Sequence, residues 1–198
     1  MEQKRIYPVG IQDFEKLRKE DCVYIDKTDM IYQLTRKYYV FLSRPRRFGK
    51  SLLSSTLKYY FQGRKDLFQG LAIERMEQEW KEYPVLHFDL STAKNRDLNG
   101  IQSELDFQLT PYEKKYEIIP GKDKMPGQRF AALIKKAHAQ TGQKTVVIID
   151  EYDNFTNELV VSNRDAEYNA ICGHDSKGDA TRESFFKAFF KSFKAGLA

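Results

Sequence analysis

The sequence predicts an α/β domain built on a mainly parallel sheet, and three observations predict it. Short continuous apolar runs alternate with segments whose apolar residues recur at helical spacing. One such run leads into a Gly-Lys-Ser loop that opens a helix. Another, the most strand-like segment of the chain, ends in two acids. Strands covered by helices on both faces read as unbroken apolar runs rather than alternating ones, which is the signature of a parallel sheet.

Taken in order, residues 14–20 read as a short polar helix and 22–25 as a brief strand. Asp26 or Thr28 caps a helix over 29–37, with Ile31 and Leu34 on its inner face. Tyr38-Tyr39-Val40-Phe41-Leu42 has the length and character of a strand buried on both faces. A helix follows over 50–61, where Leu52, Leu53, Thr56, Leu57 and Tyr60 fall at helical spacing. Gly63 and Gly70 bracket a turn-rich stretch, 73–81 reads as helix, and Pro84 introduces a strand over 85–90. A helix is expected over 99–109, whereas 111–127, punctuated by proline and glycine, reads mostly as loop. Phe130, Leu133, Ile134 and Ala137 mark the inner face of a helix over 128–140, which Gly142 ends. Thr145-Val146-Val147-Ile148-Ile149 is the strongest strand, 162–180 has no clear pattern, and a Phe-rich helix over 182–195 closes the chain.

The totals fit one folded domain. The chain has 198 residues, and its 12 tyrosines and 14 phenylalanines supply apolar mass for a core. A net charge of +5 is compatible with a phosphate-bearing ligand or a nucleic acid and selects neither. The two cysteines, Cys22 and Cys172, are far apart and in no Cys-x-x-Cys frame, which argues against a disulfide scaffold or a zinc site. There is no secretory signal, and no apolar run approaches the roughly 20 residues of a membrane helix. The expected compartment is therefore the cytoplasm, with no membrane partner.

Two motifs carry chemistry. A phosphate loop gathers backbone N–H groups at a helix N-terminus, where the helix dipole also favours anions. Its lysine reaches the terminal phosphates and the next hydroxyl coordinates Mg²⁺. Gly49, Lys50 and Ser51 supply the end of the pattern G-x-x-x-x-G-K-[ST], while Arg44 stands where its first glycine would be. Pro45 has no N–H, so donors fall to Arg47, Phe48, Gly49, Lys50 and Ser51, and Arg44, Arg46 and Arg47 bring positive charge to the phosphates. Gly-Lys-Ser alone is a chance tripeptide; the strand before it and the helix after it give it meaning. The second motif, Ile148-Ile149-Asp150-Glu151, places two carboxylates at the end of a parallel strand, where such sheets bind ligands. Asp150 would hold Mg²⁺ through water and Glu151 would act as general base. Asp153 could touch the same site or be an exposed loop acid. His87 reads as a packed strand residue, and His138 and His174 have no partner at metal-ligand spacing.

Pro8-Val9-Gly10-Ile11-Gln12-Asp13-Phe14, Tyr24-Ile25-Asp26-Lys27-Thr28, the run from Phe41 through Arg44-Pro45-Arg46-Arg47-Phe48-Gly49-Lys50-Ser51, and Ile149-Asp150-Glu151-Tyr152-Asp153 together resemble the bacterial AAA-ATPase-like family. Its members often carry a PD-D/E-x-K nuclease-like domain at the C-terminus. The resemblance implies a P-loop NTPase-like three-layer sandwich, with 1–37 as an N-terminal extension and 38–198 as the nucleotide-binding core. It implies ATP and Mg²⁺ at Gly49, Lys50 and Ser51, a Walker B pair at Asp150 and Glu151, and ATP hydrolysis in the intact domain. By the family pattern this chain stops before the later strands, so the sheet is expected to be incomplete at its C-terminus and hydrolysis to be compromised. Two other readings stay open: a module that holds nucleotide without turnover, and a nucleic-acid-binding accessory using the Arg-rich loop.

Overall fold

In the computed structural model, the described residues are 6–43, 45, 48–92, 98–119 and 125–151. The chain divides into two compact units, Met1–His87 and Phe88–Ala198.

The first unit is built from helices. Helix α1 (Phe14–Lys19) starts at Asp13, whose carboxylate accepts the Lys16 N–H at 2.9 Å, an N-cap that satisfies a donor the helix itself cannot. Helix α2 (Thr28–Leu34) is started by Asp26, which accepts both the N–H of Thr28 at 2.9 Å and its hydroxyl at 2.7 Å. Helix α3 (Lys50–Phe61) has the expected bounds. Phe14, Ile31, Tyr59, Leu67, Phe68, Leu71 and Ile73 form the core, with Leu52, Leu53, Leu57 and Tyr60 packed partly buried against it. Gly63 closes the segment after α3: its φ is +68°, and a Cβ there would lie 2.9 Å from the Trp80 carbonyl oxygen. Only glycine meets both demands.

The second unit holds a helix pair. Strand β1 (Val85–Asp89) and strand β2 (Val146–Asp150) form a two-stranded parallel sheet, and helices α4 (Leu98–Lys115) and α5 (Pro126–Thr141) lie between them in sequence and pack on each other. Phe88 of β1 meets Phe130 of α5 edge-on at 5.4 Å and Tyr112 of α4 at 5.7 Å. Phe130, Leu133, Ile134 and Ala137 are the buried face of α5, as their spacing predicts, and Gly142 ends the helix at φ +66°. Arg129 clamps the helices by a two-pronged contact with the buried Glu113, at 2.8 and 2.7 Å, and a further bond to Asp106.

Several expectations are overturned. The 38–42 run is not a strand, and Tyr38, Tyr39 and Phe41 are 85%, 71% and 72% exposed. An apolar run reports only that burial would be favourable; a strand also needs a neighbour for its backbone groups, and among the described residues the sheet has β1 and β2 alone. The mainly parallel sheet of the expected sandwich is therefore two strands wide here, and the architecture is mixed helix and strand. Cys22 makes a single parallel bridge to Ile6 instead of opening a strand. The helix expected over 73–81 is a 3-10 turn, Ala72–Arg75, because the Glu77 carboxylate takes the Glu79 N–H at 2.9 Å and Trp80 sits at φ +43°. Helix α2 stops at Leu34, short of residue 37. Helix α4 runs through Pro111, where a loop was expected, up to Lys115. Proline removes only the bond to the Phe107 carbonyl, and Phe107 is 74% exposed, so water replaces it at modest cost. The Phe-rich C-terminal segment, 162–180, Asp153, Cys172 and His174 lie outside the described residues.

Candidate nucleotide site

Gly49 is the residue before α3 and adopts φ +72°, ψ +26°. A Cβ there would meet nothing within 4 Å, so it is the left-handed backbone alone that asks for glycine. The helical ladder begins with the Leu53 N–H on the Gly49 carbonyl at 3.0 Å. The earlier N–H groups, those of Lys50 and Ser51 among them, point out of the helix end with no intrahelical acceptor. A phosphate oxygen is the acceptor such an end suits. Lys50 and Ser51 are half-buried and Phe48 is 64% exposed. Arg44, Arg46 and Arg47 lie outside the described residues.

The acidic pair has equally definite local geometry. Asp150 is the last residue of β2 and is 9% exposed, although the strand before it is only half-buried. Its carboxylate accepts the Glu151 N–H at 3.0 Å. Glu151 stands at φ +52°, a left-handed conformation unusual for a residue with a side chain. The chain thus turns sharply where the strand stops. Gly49, Lys50 and Ser51 are brought together in the first unit, and Asp150 and Glu151 in the second.

No group of three or more His, Cys, Asp or Glu among the described residues is placed to hold a metal. That arrangement is not what a nucleotide-bound Mg²⁺ uses; it keeps several waters and takes one or two protein ligands plus phosphate oxygens. A hydroxyl at Ser51 and a carboxylate at Asp150 are chemically suited to that role. His138 instead contacts the Gln143 carbonyl through Nδ1 at 2.8 Å, at the end of α5.

Sequence reasoning gave Asp13 no role and could assign none to Asp26. Asp13 Oδ2 accepts from Ser55 at 3.3 Å and from the Tyr59 hydroxyl at 3.0 Å, both on α3, while the Phe14 N–H donates to Ser55 Oγ at 2.9 Å. Burial, then the hydrogen bond and charge of Asp13, push the Tyr59 hydroxyl's pKa up. Asp26 Oδ2 accepts the Ala72 N–H at 2.7 Å, and the Thr28 hydroxyl accepts that of Ile73 at 3.0 Å. Burial alone would raise the Asp26 carboxyl; the bonds from Thr28 and Ala72 outweigh it and hold the group below the usual carboxylate range. Tyr24, buried and facing the charge of Asp26, is pushed up to about 12. The available signal was an aspartate just ahead of a helix in each motif.

A family model described as "Predicted AAA-ATPase", AAA-ATPase-like, matches residues 8–198. An "Uncharacterized protein in vnfD 5'region" of Azotobacter chroococcum mcd 1 is 38% identical over 155 residues, 77% of this chain and 30% of that protein. The cytoplasmic serine–tRNA ligase of Candida albicans is 27% identical over 106 residues, 52% of this chain and 22% of the ligase. The chain thus spans less than a third of the length of these curated relatives. No solved structure gives a significant match. Among the described residues, no helix is long and apolar enough to cross a membrane. With its model matched from residue 8 to the last residue, the chain belongs to the AAA-ATPase-like family.

Proposed function

We propose that the start of α3 is an ATP phosphate site and that the chain is the nucleotide-binding part of an ATPase. The observation that carries this reading is Gly49 in left-handed conformation opening a 12-residue helix whose first two residues are Lys50 and Ser51. The N–H groups of Gly49, Lys50 and Ser51, with those of Arg47 and Phe48, would cradle the β- and γ-phosphates. Lys50 would neutralise the terminal phosphates, with Arg46 and Arg47 adding charge. Ser51 and Asp150 would hold Mg²⁺, directly and through water, and Glu151 would polarise the attacking water. Family membership supports the ATPase class; the sandwich architecture and each residue's role belong to the proposal.

Isothermal titration of the chain with ATP and Mg²⁺ tests it. Lys50→Ala should abolish a Mg²⁺-dependent binding signal, and unchanged affinity in that variant would sink the phosphate-site reading. Phosphate release separates enzyme from binder. A hydrolysing chain should lose turnover with Glu151→Gln while keeping ATP affinity, whereas a chain that binds without turnover gives no release in either form.

A further inference from the structure

The phosphate site proposed above is only as well aimed as the helix that carries it, and α3 is fixed to the N-terminal segment at one polar point. Ser51, Ser55 and Tyr59 follow one another at i, i+4 and i+8, so they form one stripe along α3. Ser55 is one turn below Ser51, about 6 Å down the axis. Both Ser55 and Tyr59 are buried, at 6% and 7% exposure. The same carboxylate oxygen of Asp13 takes both hydroxyls, at 3.3 and 3.0 Å, and the Phe14 N–H closes the arrangement on Ser55 Oγ. Asp13 Oδ1 is meanwhile locked to the first turn of α1 through Lys16. Glu15 Oε2 adds a contact to the Tyr59 hydroxyl at 3.3 Å.

Apolar packing resists separation of two helices but tolerates rolling and sliding, because it is not directional. Two hydrogen bonds to one oxygen, a turn apart on the same stripe, resist both. We infer that Asp13, acting through Ser55 and Tyr59, is a positioning residue for the phosphate loop: it fixes the rotation of α3 and so the aim of the Ser51 hydroxyl at the nucleotide's metal ion. This rests on the phosphate-site reading. Lys50 has a long side chain that adapts to a small roll of the helix, whereas a serine hydroxyl reaches one place. The Mg²⁺-dependent part of nucleotide affinity is therefore what Asp13 protects.

The test is titration of the full chain with ATP, in Mg²⁺ and again in EDTA, for the wild type, Ser55→Ala and Tyr59→Phe. Each variant deletes one hydroxyl and keeps a good helix former or an isosteric ring. Ile73→Val, in the same core but away from Asp13, is the control for general loosening. The expected result is that Ser55→Ala and Tyr59→Phe each lose about fivefold of the gain in affinity that Mg²⁺ provides. Their affinity in EDTA and the behaviour of Ile73→Val should match the wild type. Full retention of the Mg²⁺ gain in both variants, or an equal loss in Ile73→Val, overturns the inference while leaving the phosphate site standing. A wild-type chain that binds no ATP overturns the phosphate site itself.

Discussion

Gly49 and Gly63 share a left-handed backbone but differ in their surroundings, and that difference is measurable. At Gly49 an added methyl group meets nothing within 4 Å, so Gly49→Ala should cost only the backbone strain, about 1–2 kcal/mol. At Gly63 the methyl group would also strike the Trp80 carbonyl oxygen at 2.9 Å, backbone rather than a flexible side chain. Gly63→Ala should therefore lower the urea midpoint more than Gly49→Ala does; equal losses would show that the Trp80 segment gives way freely. Asp26 makes a prediction in pH. Its carboxyl is lowered on folding, so its contribution is complete above the unfolded-state value near 4 and fades as pH falls through the folded one. The stability gap between wild type and Asp26→Asn should be flat near neutrality and shrink below about pH 4. Both glycines and both aspartates are visible in the sequence, yet their partners are not. Ser55 and Ala72 lie far along the chain from Asp13 and Asp26, and nothing local announces such pairings.

At the scale of elements, legibility follows how one-sided the burial is. Helix α5 was readable because its four inward residues are also its most buried, and α3 because the loop before it fixes its start. Helix α4 was cut short in the reading because Pro111 is a local signal, while the packing of α4 on α5 that overrides it is not local. The 38–42 run misled in the opposite direction: its composition is that of a strand, and strand formation is decided by a neighbour. The clamp between α4 and α5 gives the element-scale prediction. Arg129→Met leaves the carboxylate of Glu113, with 3% side-chain exposure, buried without its cation, and should cost about 3–5 kcal/mol in urea unfolding. Adding Glu113→Leu should recover most of that loss, because the penalty lies in the stranded charge more than in the missing pair.

At the scale of the molecule, the proposed phosphate ligands and the proposed acids belong to different compact units. A nucleotide that engages the phosphate loop stabilises the folded chain by mass action, about 2.7 kcal/mol at a hundredfold excess over Kd. MgATP should thus raise the wild-type melting temperature and leave that of Lys50→Ala unmoved. The α/β character was legible from the alternation of runs, and the acidic strand end from Val146 to Asp150, whereas the division into two units has no punctuating linker in the sequence at residues 87 and 88. Trp80 offers a way to watch one unit without the other. It is the single tryptophan of the chain, its ring centroid lies 5.9 Å from that of Tyr60 on α3 and 5.2 Å from that of Phe68, and its indole nitrogen is buried away from hydrogen-bond partners. An indole in so dry a seat emits toward the blue, and exciting it at the red edge of its absorption leaves the 12 tyrosines dark. Light from the first unit then carries the state of α3 on its own, so that a shift in colour on adding nucleotide would report movement of the phosphate-loop helix without any attached label.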